Sequence, residues 1–289
     1  MTDGGGGGRL VLAATPLGDA RDASARLVEA LSSADVVAAE DTRRLRSLAA
    51  ALGVTVRGRV VSHYDAVEDA RLPKLLDEVR AGRTVLVVTD AGMPVVSDPG
   101  YRIVAAAAAE GLPVTCLPGP SAVTTALVLA GIPADRFCFE GFAPRRPGDR
   151  RRWLETLVRE PRAVVFFESP HRLSDTLAEA AAVLGPDRAA AVCRELTKKH
   201  EEVRRGPLGE LARWAAENVV RGEITVVVAG ASPEAPSVAS LVGRVRERVA
   251  DGERLKDAVA AVAEAAGVSK RELYNAVLAD TGEDSRGLG

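Results

Sequence analysis

The chain has 289 residues, of which 47% are hydrophobic and only 3% aromatic, and its formal net charge is −2. This length exceeds the usual size of one domain and predicts two domains with a short tail. The near-neutral charge excludes a protein that coats nucleic acid by bulk electrostatics, and the few aromatic residues argue against base-stacking platforms. Any RNA contact must therefore come from local basic stretches.

The cysteines and the first residues bear on location. Cys116, Cys138 and Cys193 lie far apart inside apolar runs, in neither a disulfide nor a metal-binding spacing, so we expect buried thiols and no metal. No apolar run approaches the length of a membrane span, and residues 1–8, with five consecutive glycines, lack the pattern of a signal peptide. We therefore expect a disordered leader over 1–8 and a cytoplasmic protein that contacts no membrane.

Short apolar runs alternate with helical patterns through the first half of the chain. The pattern predicts strands over 10–14, 36–39, 60–62, 85–88 and 114–117, and helices over 23–31, 42–52, 67–81, 101–110 and 123–130. Such alternation is typical of a mainly parallel sheet with helices on both faces. We predict an N-terminal α/β domain over residues 9–133, with Asp41 or Thr42 as the cap of its second helix.

The loop over 89–100 follows four consecutive apolar residues and contains Asp90 and Gly92. In an open α/β sheet the carboxyl ends of the strands face the ligand crevice, so a carboxylate beside a bare glycine backbone suits a small polar ligand. Similar loops follow the strands that end at Ala14 and Leu117, and Ser121 there precedes the free N–H groups of a helix. The same residue types also make ordinary turns and caps, so the pocket and the plain turn are both open. Neither a dinucleotide-binding glycine fingerprint nor a P-loop occurs.

A C-terminal α/β domain is predicted over 134–232, after a linker at 131–135. It starts at 137–142 and has strands expected over 163–167, 189–193 and 224–230, with charged residues gathered at their ends. Five arginines between 145 and 152 form either a solvated helix start or a loop that grips phosphate. Helical patterns over 238–250, 255–265 and 270–279 predict a small helical appendage over 237–282, which either stabilises the protein or contacts RNA.

Seven stretches in this order resemble the tetrapyrrole methylase superfamily. They are ATPLGD at 14–19, AEDTR at 39–43, TDAGMPVVSDPG at 89–100, LPGPSA at 117–122, FEGF at 139–142, FESPHR at 167–172 and RELTK at 194–198. The resemblance implies a two-domain tetrapyrrole methylase-like α/β fold, that of class III S-adenosylmethionine methyltransferases, with the cofactor in the cleft between the domains of a homodimer. The stretches are most similar to the branch that methylates a cytidine ribose 2′-hydroxyl in the decoding region of 16S rRNA.

The resemblance also implies which residues bind S-adenosylmethionine. The family's cofactor contacts carry over to Pro16, Asp90, Ala91, Gly92, Met93, Val96, Ser121, Ala122, Phe167 and Glu168. Met93 departs from the family, in which threonine is common at this position. Backbone and apolar contacts suit adenosine, N–H donors suit the methionine carboxylate, and Asp90 suits the ammonium or the ribose hydroxyls.

The expected reaction moves a sulfonium methyl group to a ribose 2′-oxygen by in-line displacement and requires no metal. Glu168, Glu195 and Lys198 are the candidates for positioning or deprotonation. The hypothesis is that Arg194 and Lys198 hold phosphate or the developing oxyanion while one glutamate takes the proton. We expect the partner to be 16S rRNA within the 30S subunit and not DNA, with RNA contacts from Arg43, Arg145, Arg146, Arg150 and Arg194.

Two other functions fit parts of the sequence. A member of the same superfamily would methylate a tetrapyrrole or another small molecule, although the arginine cluster and the helical tail favour RNA. A non-catalytic RNA-binding or assembly factor would have kept the fold alone. Glycine, aspartate and glutamate at several strand ends argue against that, because a scaffold has no need of them.

Overall fold

A computed structural model describes residues 7–231 and 238–284. The chain forms two compact units, one up to Gly230 and one from Ala231 onward, and both predicted α/β domains fall within the first unit. Residues 1–6 of the predicted leader lie outside the described residues. Gly8 is buried, and a side chain there would collide with the Val79 carbonyl oxygen, so the leader prediction is wrong at this residue.

The first sheet confirms the predicted parallel arrangement. Its strands are β1 (Arg9–Ala13), β2 (Val36–Ala39), β3 (Arg59–Ser62), β4 (Thr84–Val88) and β5 (Val114–Leu117). Every neighbouring pair is parallel, in the order β3-β2-β4-β1-β5. The central strands are buried on both faces, which explains why their sequences are continuous apolar runs and do not alternate with polar residues.

Helices cover the two faces of this sheet. They are α1 (Ala25–Ser33), α2 (Thr42–Ala51), α3 (Asp65–Arg80) and α4 (Tyr101–Ala109). Successive residues of β1 point to opposite faces, so Leu10 and Leu12 pack in one core while Val11 and Ala13 pack in the other. As predicted, Asp41 caps α2, and its side chain accepts a hydrogen bond from the Arg43 N–H.

The second sheet is mixed. Its strands are β6 (Phe137–Phe142), β7 (Ala163–Glu168), β8 (Ala189–Arg194), β9 (Glu202–Pro207) and β10 (Ile224–Val228), in the order β6-β7-β10-β8-β9. The β6–β7 pair is parallel and the other three pairs are antiparallel. The sequence did not predict β9 because it is a charged edge strand that includes the exposed residues Arg204 and Arg205.

Four further helices lie beside these strands, namely α5 (Ala122–Ala130), α6 (Pro147–Thr156), α7 (Leu173–Leu184) and α8 (Leu208–Glu217). The helix α5 follows the last strand of the first sheet, yet its buried face packs on the second sheet. Val123, Ala126 and Ala130 lie in one core with Val165 and Val227. The segment that follows β5 therefore joins the two sheets.

Edge strands also decide which cysteines are buried. Cys193 lies in the core, Cys138 is half-buried and Cys116 is exposed, and all three are free thiols. The expectation of a buried thiol is therefore wrong for Cys116, because it lies on β5, which is the edge of its sheet and largely exposed.

The second unit contains α9 (Val238–Ala250), α10 (Leu255–Ala266) and α11 (Lys270–Asp284). Its core includes Leu241, Val259 and Leu273. The helix α10 ends at Gly267, whose left-handed backbone (φ 66°) makes a turn into α11. No helix in the described part of either unit combines the length and apolar character of a membrane span.

Candidate active site

A cavity of about 380 Å³ lies in the first unit, where loops from both sheets meet. From the first sheet it receives the loops that follow β1, β2, β4 and β5. From the second sheet it receives the ends of β6 and β7 and the start of β10. Because β10 runs antiparallel to β7, its amino end lies beside the carboxyl end of β7, with Ile224 opposite Glu168.

Most of the predicted cofactor residues meet at this cavity. Nine of the ten line it, namely Asp90, Ala91, Gly92, Met93, Val96, Ser121, Ala122, Phe167 and Glu168. Pro16 does not, and instead lines a smaller adjoining cavity together with Glu40, Arg44 and Asp90.

Sequence reasoning missed several lining residues. Those outside the predicted set include Leu17, Arg44, Phe142 and the segment from Gly222 to Thr225. Only the antiparallel course of β10 brings that last segment to the cavity, so the strand pattern alone carried no signal for it.

Asp90 is held in place by the loop that follows β2. Its Oδ1 accepts the Asp41 N–H at 3.0 Å, and its Oδ2 lies 3.3 Å from Arg44 Nε. In return the Asp90 N–H donates to Glu40 Oε2 at 3.0 Å. Glu40 and Arg44 therefore orient Asp90. This role accounts for the charged residues that follow β2.

The glycine beside Asp90 has a backbone conformation that other residues avoid. Gly92 has φ 80° and exchanges two backbone hydrogen bonds with Thr15, at 2.9 and 3.0 Å, which join the loops after β1 and β4. A side chain at Gly92 would lie 3.2 Å from Leu17 Cδ2. Farther along the same loop, Val95 (φ 75°) and Ser97 (φ 64°) are also left-handed, which is rare for non-glycine residues and rarest for a β-branched one.

A sequence model described as Tetrapyrrole (Corrin/Porphyrin) Methylases matches residues 9–212. The chain belongs to the tetrapyrrole methylase family. It is 62% identical over 272 residues to Ribosomal RNA small subunit methyltransferase I of Mycobacterium tuberculosis H37Rv, a match that covers 94% of this chain and 95% of that protein. The protein of the same name from Escherichia coli O157:H7 is 38% identical over 277 residues, covering 95% and 96%.

Solved structures of the family share the fold of this methylase. Uroporphyrin-III C-methyltransferase of Thermus thermophilus, complexed with S-adenosylhomocysteine, superimposes with a TM-score of 0.54 at 20% identity, covering 76% of this chain and 97% of that one. The methyltransferase CobJ gives a TM-score of 0.59 at 21% identity, covering 78% and 95%. At these identities the likeness concerns the fold alone.

In this methylase the Glu168 carboxylate is buried and occupied by donors from its own chain. Its oxygens accept the Ser169 N–H and the Thr176 hydroxyl, each at 2.6 Å, and pair with Arg172 at 2.5 Å. The side chain is 0% exposed. A carboxylate with three donors and no solvent contact is a poor acceptor for a substrate proton, so its position argues against the catalytic role expected for it.

Glu195 and Lys198 form a cluster with Glu223, which the sequence had not singled out. Lys198 Nζ lies 2.9 Å from Glu195 Oε1 and 3.1 Å from Glu223 Oε2, and Glu195 Oε1 also accepts the Glu223 N–H at 3.0 Å. Of the three, Glu223 lines the cavity. The Lys198 side chain also packs closely on Gly18 in the loop after β1. A side chain at Gly18 would lie only 2.2 Å from the Cγ atom of Lys198.

The charges of this cluster support one another. Burial tends to lower the pKa of Lys198, but the hydrogen bonds to Glu195 and Glu223 outweigh burial and raise it. Burial likewise tends to raise the pKa of Glu195, but the Glu223 N–H and Lys198 outweigh burial and lower it. Lys198 therefore stays a cation at neutral pH, and Glu195 is a weaker base than an ordinary glutamate.

The predicted RNA-binding arginines occupy very different environments. Arg145 and Arg146 are exposed, and the Arg43 side chain is 85% exposed beside Asp41. Arg194 is half-buried and pairs with Glu202 at 2.6 Å. Arg150 is buried and pairs with Glu179 at 2.6 Å, so it holds α6 to α7, and its burial argues against an RNA contact.

Proposed function

We propose that this protein transfers a methyl group from S-adenosylmethionine to the ribose 2′-hydroxyl of a cytidine in the decoding region of 16S rRNA. The observation that carries the proposal is the 62% identity, over 94% of the chain, to a protein called Ribosomal RNA small subunit methyltransferase I. The cavity supports it, because nine residues predicted to contact the cofactor converge there.

The residues of the cavity fit this cofactor. Its volume of about 380 Å³ lies within the range of small-molecule sites. The Ser121 side chain makes no capping bond to α5, so the first N–H groups of that helix are available to a carboxylate. The half-exposed carboxylate of Asp90 suits an ammonium or ribose hydroxyls, and Ala91, Val96 and Phe167 offer apolar surface.

Bound S-adenosylmethionine supplies a methyl group on a positively charged sulfur. The chain's own contribution is to hold an acceptor oxygen and to manage its proton. Lys198 is a cation fixed between two carboxylates and suits a developing negative charge on oxygen. Glu195 positions Lys198, and Glu168 holds the start of α7.

The proton acceptor in this proposal is Glu223. Its side chain is 63% exposed and lines the cavity, unlike the buried Glu168. One carboxylate oxygen pairs with Lys198, which leaves the other within reach of a ligand.

The substrate is proposed to be the 30S subunit, and the protein to act as a cytoplasmic homodimer. Methyl transfer from labelled cofactor to 30S subunits of cells that lack the protein, followed by mapping of 2′-O-methyl groups, tests the reaction. Naked 16S rRNA and uroporphyrinogen serve as parallel substrates. Labelling of uroporphyrinogen alone would favour the tetrapyrrole alternative, and cofactor binding without transfer to any substrate would contradict the proposal.

A further inference from the structure

An exposed phenylalanine stands at the rim of the cavity. Phe142 lines the cavity and is 57% exposed, more than any of the other four phenylalanines. Its ring packs edge to face on Phe167 at a centroid distance of 5.4 Å, and the Phe139 ring also packs on Phe167, at a centroid distance of 4.9 Å.

A β-bulge directs Phe142 to this position. Along β6, Phe139 pairs with Val165 and Phe142 with Phe167, so three steps on β6 match two on β7. In a regular strand, residues three apart point to opposite faces. The extra residue, with Gly141 in a left-handed conformation (φ 69°), places both phenylalanines against Phe167.

Glycine is favoured at position 141 because of its left-handed backbone conformation and not because a larger side chain would collide with a neighbour. A side chain there would lie 3.7 Å from Ser97 Oγ, which is an ordinary contact. The bulge thus keeps the Phe142 ring in contact with Phe167 while much of the residue stays in solvent. An exposed aromatic ring forgoes the stabilisation that its burial would give to the fold.

Two exposed arginines follow Phe142 closely in the sequence. Arg145 and Arg146 are exposed and make no ion pair with any described carboxylate. Their neighbours differ, since Arg150 pairs with Glu179 and Arg152 pairs with Asp149 at 2.5 Å. Arg146 also precedes the first turn of α6, where positive charge opposes the helix dipole. These two guanidinium groups are therefore available to an anionic ligand.

We propose that Phe142 is the platform on which an unstacked pyrimidine base of single-stranded RNA lies, with Arg145 and Arg146 on the flanking phosphates. This inference rests on the proposed function and names the part of the site that would receive the target nucleotide. A ribose hydroxyl can reach the cavity only if its nucleotide leaves the helical stack. An aromatic ring then replaces the lost base stacking, and guanidinium groups hold the backbone.

The test compares Phe142→Leu with Phe137→Leu. Phe137 is exposed on the same strand but does not line the cavity, so its variant is a matched control. For Phe142→Leu we expect a roughly 10-fold or greater loss of affinity for a cytidine hexanucleotide, and a KM for 30S subunits raised by a similar factor. Phe142→Trp should retain both values. Affinity for S-adenosylhomocysteine, measured by calorimetry, should change less than about twofold.

A second variant tests the arginines. Arg145→Ala with Arg146→Ala should weaken binding of the hexanucleotide and lower its salt dependence by about two counterions, whereas Phe142→Leu should leave that slope unchanged. An equal loss of affinity for a hexamer of abasic ribose phosphate in Phe142→Leu would overturn the stacking role.

Two other outcomes would overturn the proposal as well. Unchanged hexanucleotide affinity in Phe142→Leu would show that no base lies on the ring, and a large loss of S-adenosylhomocysteine affinity would assign the ring to the cofactor. Because the hexanucleotide assay needs no turnover, a wild-type protein that binds RNA through Phe142 but methylates no 30S subunit would contradict the proposed function alone.

Discussion

Replacing Glu168 with glutamine separates a positioning role from a catalytic one. The substitution keeps the shape of the side chain but removes its charge and turns one acceptor into a donor. Thr176 can rotate its hydroxyl to adapt, whereas the Ser169 N–H and Arg172 cannot become acceptors. The change therefore weakens at least two hydrogen bonds of a carboxylate that has no contact with solvent.

The magnitude follows from these contacts. Hydrogen bonds to a charged group contribute about 1.5–3 kcal/mol each, and loss of one partner of a buried ion pair costs about 3–5 kcal/mol. Arg172 is 23% exposed and can recover some hydration, so we expect a loss of about 2–4 kcal/mol in the free energy of unfolding. For a unit of this size that lowers Tm by about 4–16 °C.

Thermal unfolding followed by circular dichroism measures the effect, with kcat determined well below the lowered Tm. Glu155→Gln, an exposed glutamate on α6, is the control and should leave Tm unchanged within about 1 °C. Thr176→Val, which removes one donor and leaves the carboxylate charged, should cost about 1 kcal/mol. An unchanged Tm together with a loss of kcat greater than about 100-fold would refute the reasoning and restore Glu168 as a catalytic base.

Glu223→Gln removes the proposed proton acceptor, so it should lower kcat by about 100-fold or more and leave the affinity for S-adenosylhomocysteine unchanged. The exposed control Glu217→Gln should change neither value, and normal turnover of Glu223→Gln would exclude Glu223. Gly92→Ala should lower the free energy of unfolding by about 1–2 kcal/mol and weaken cofactor binding measured by calorimetry. The control is Gly53→Ala, because Gly53 has a similar φ of 67° but open space around it. This control should show only the loss of stability. Burial raises the pKa of the Cys193 thiol to about 11. A maleimide at neutral pH should therefore label the exposed Cys116 first and Cys193 only after unfolding, as measured by mass spectrometry. Fast labelling of Cys193 in the folded protein would contradict its burial.

The arginines that lie together in the sequence between 145 and 152 do not share one environment. Arg150 and Arg145 lie five positions apart in one basic run, yet the first is buried against Glu179 and the second is exposed. Amino-acid identity alone does not distinguish them, because the same residue type occurs at a buried and at an exposed position of the run. The helix face decides, since Arg150 and Leu154 share the buried side of α6.

The sequence by itself determined the first sheet and most of the cavity. Runs of β-branched residues such as β4 are typical of strands buried on both faces, and the alternation of these runs with helical patterns predicted a parallel sheet between layers of helices. The turns that follow parallel strands gather at one edge of the sheet, which is why the sequence predicts that Asp90, Gly92 and Ser121 lie close together, as they do at the cavity.

Only the tertiary structure decided the pairing in the second sheet and the direction of its charged side chains. The antiparallel course of β10, which brings Glu223 to the cavity, depends on contacts between residues far apart in the chain, and local patterns do not encode them. Likewise, Glu168 ends a strand at the cavity as predicted, but Thr176 and Arg172 on the following segment turn its carboxylate inward. A buried carboxylate must point toward its hydrogen-bond donors, and the folded chain determines where those donors lie.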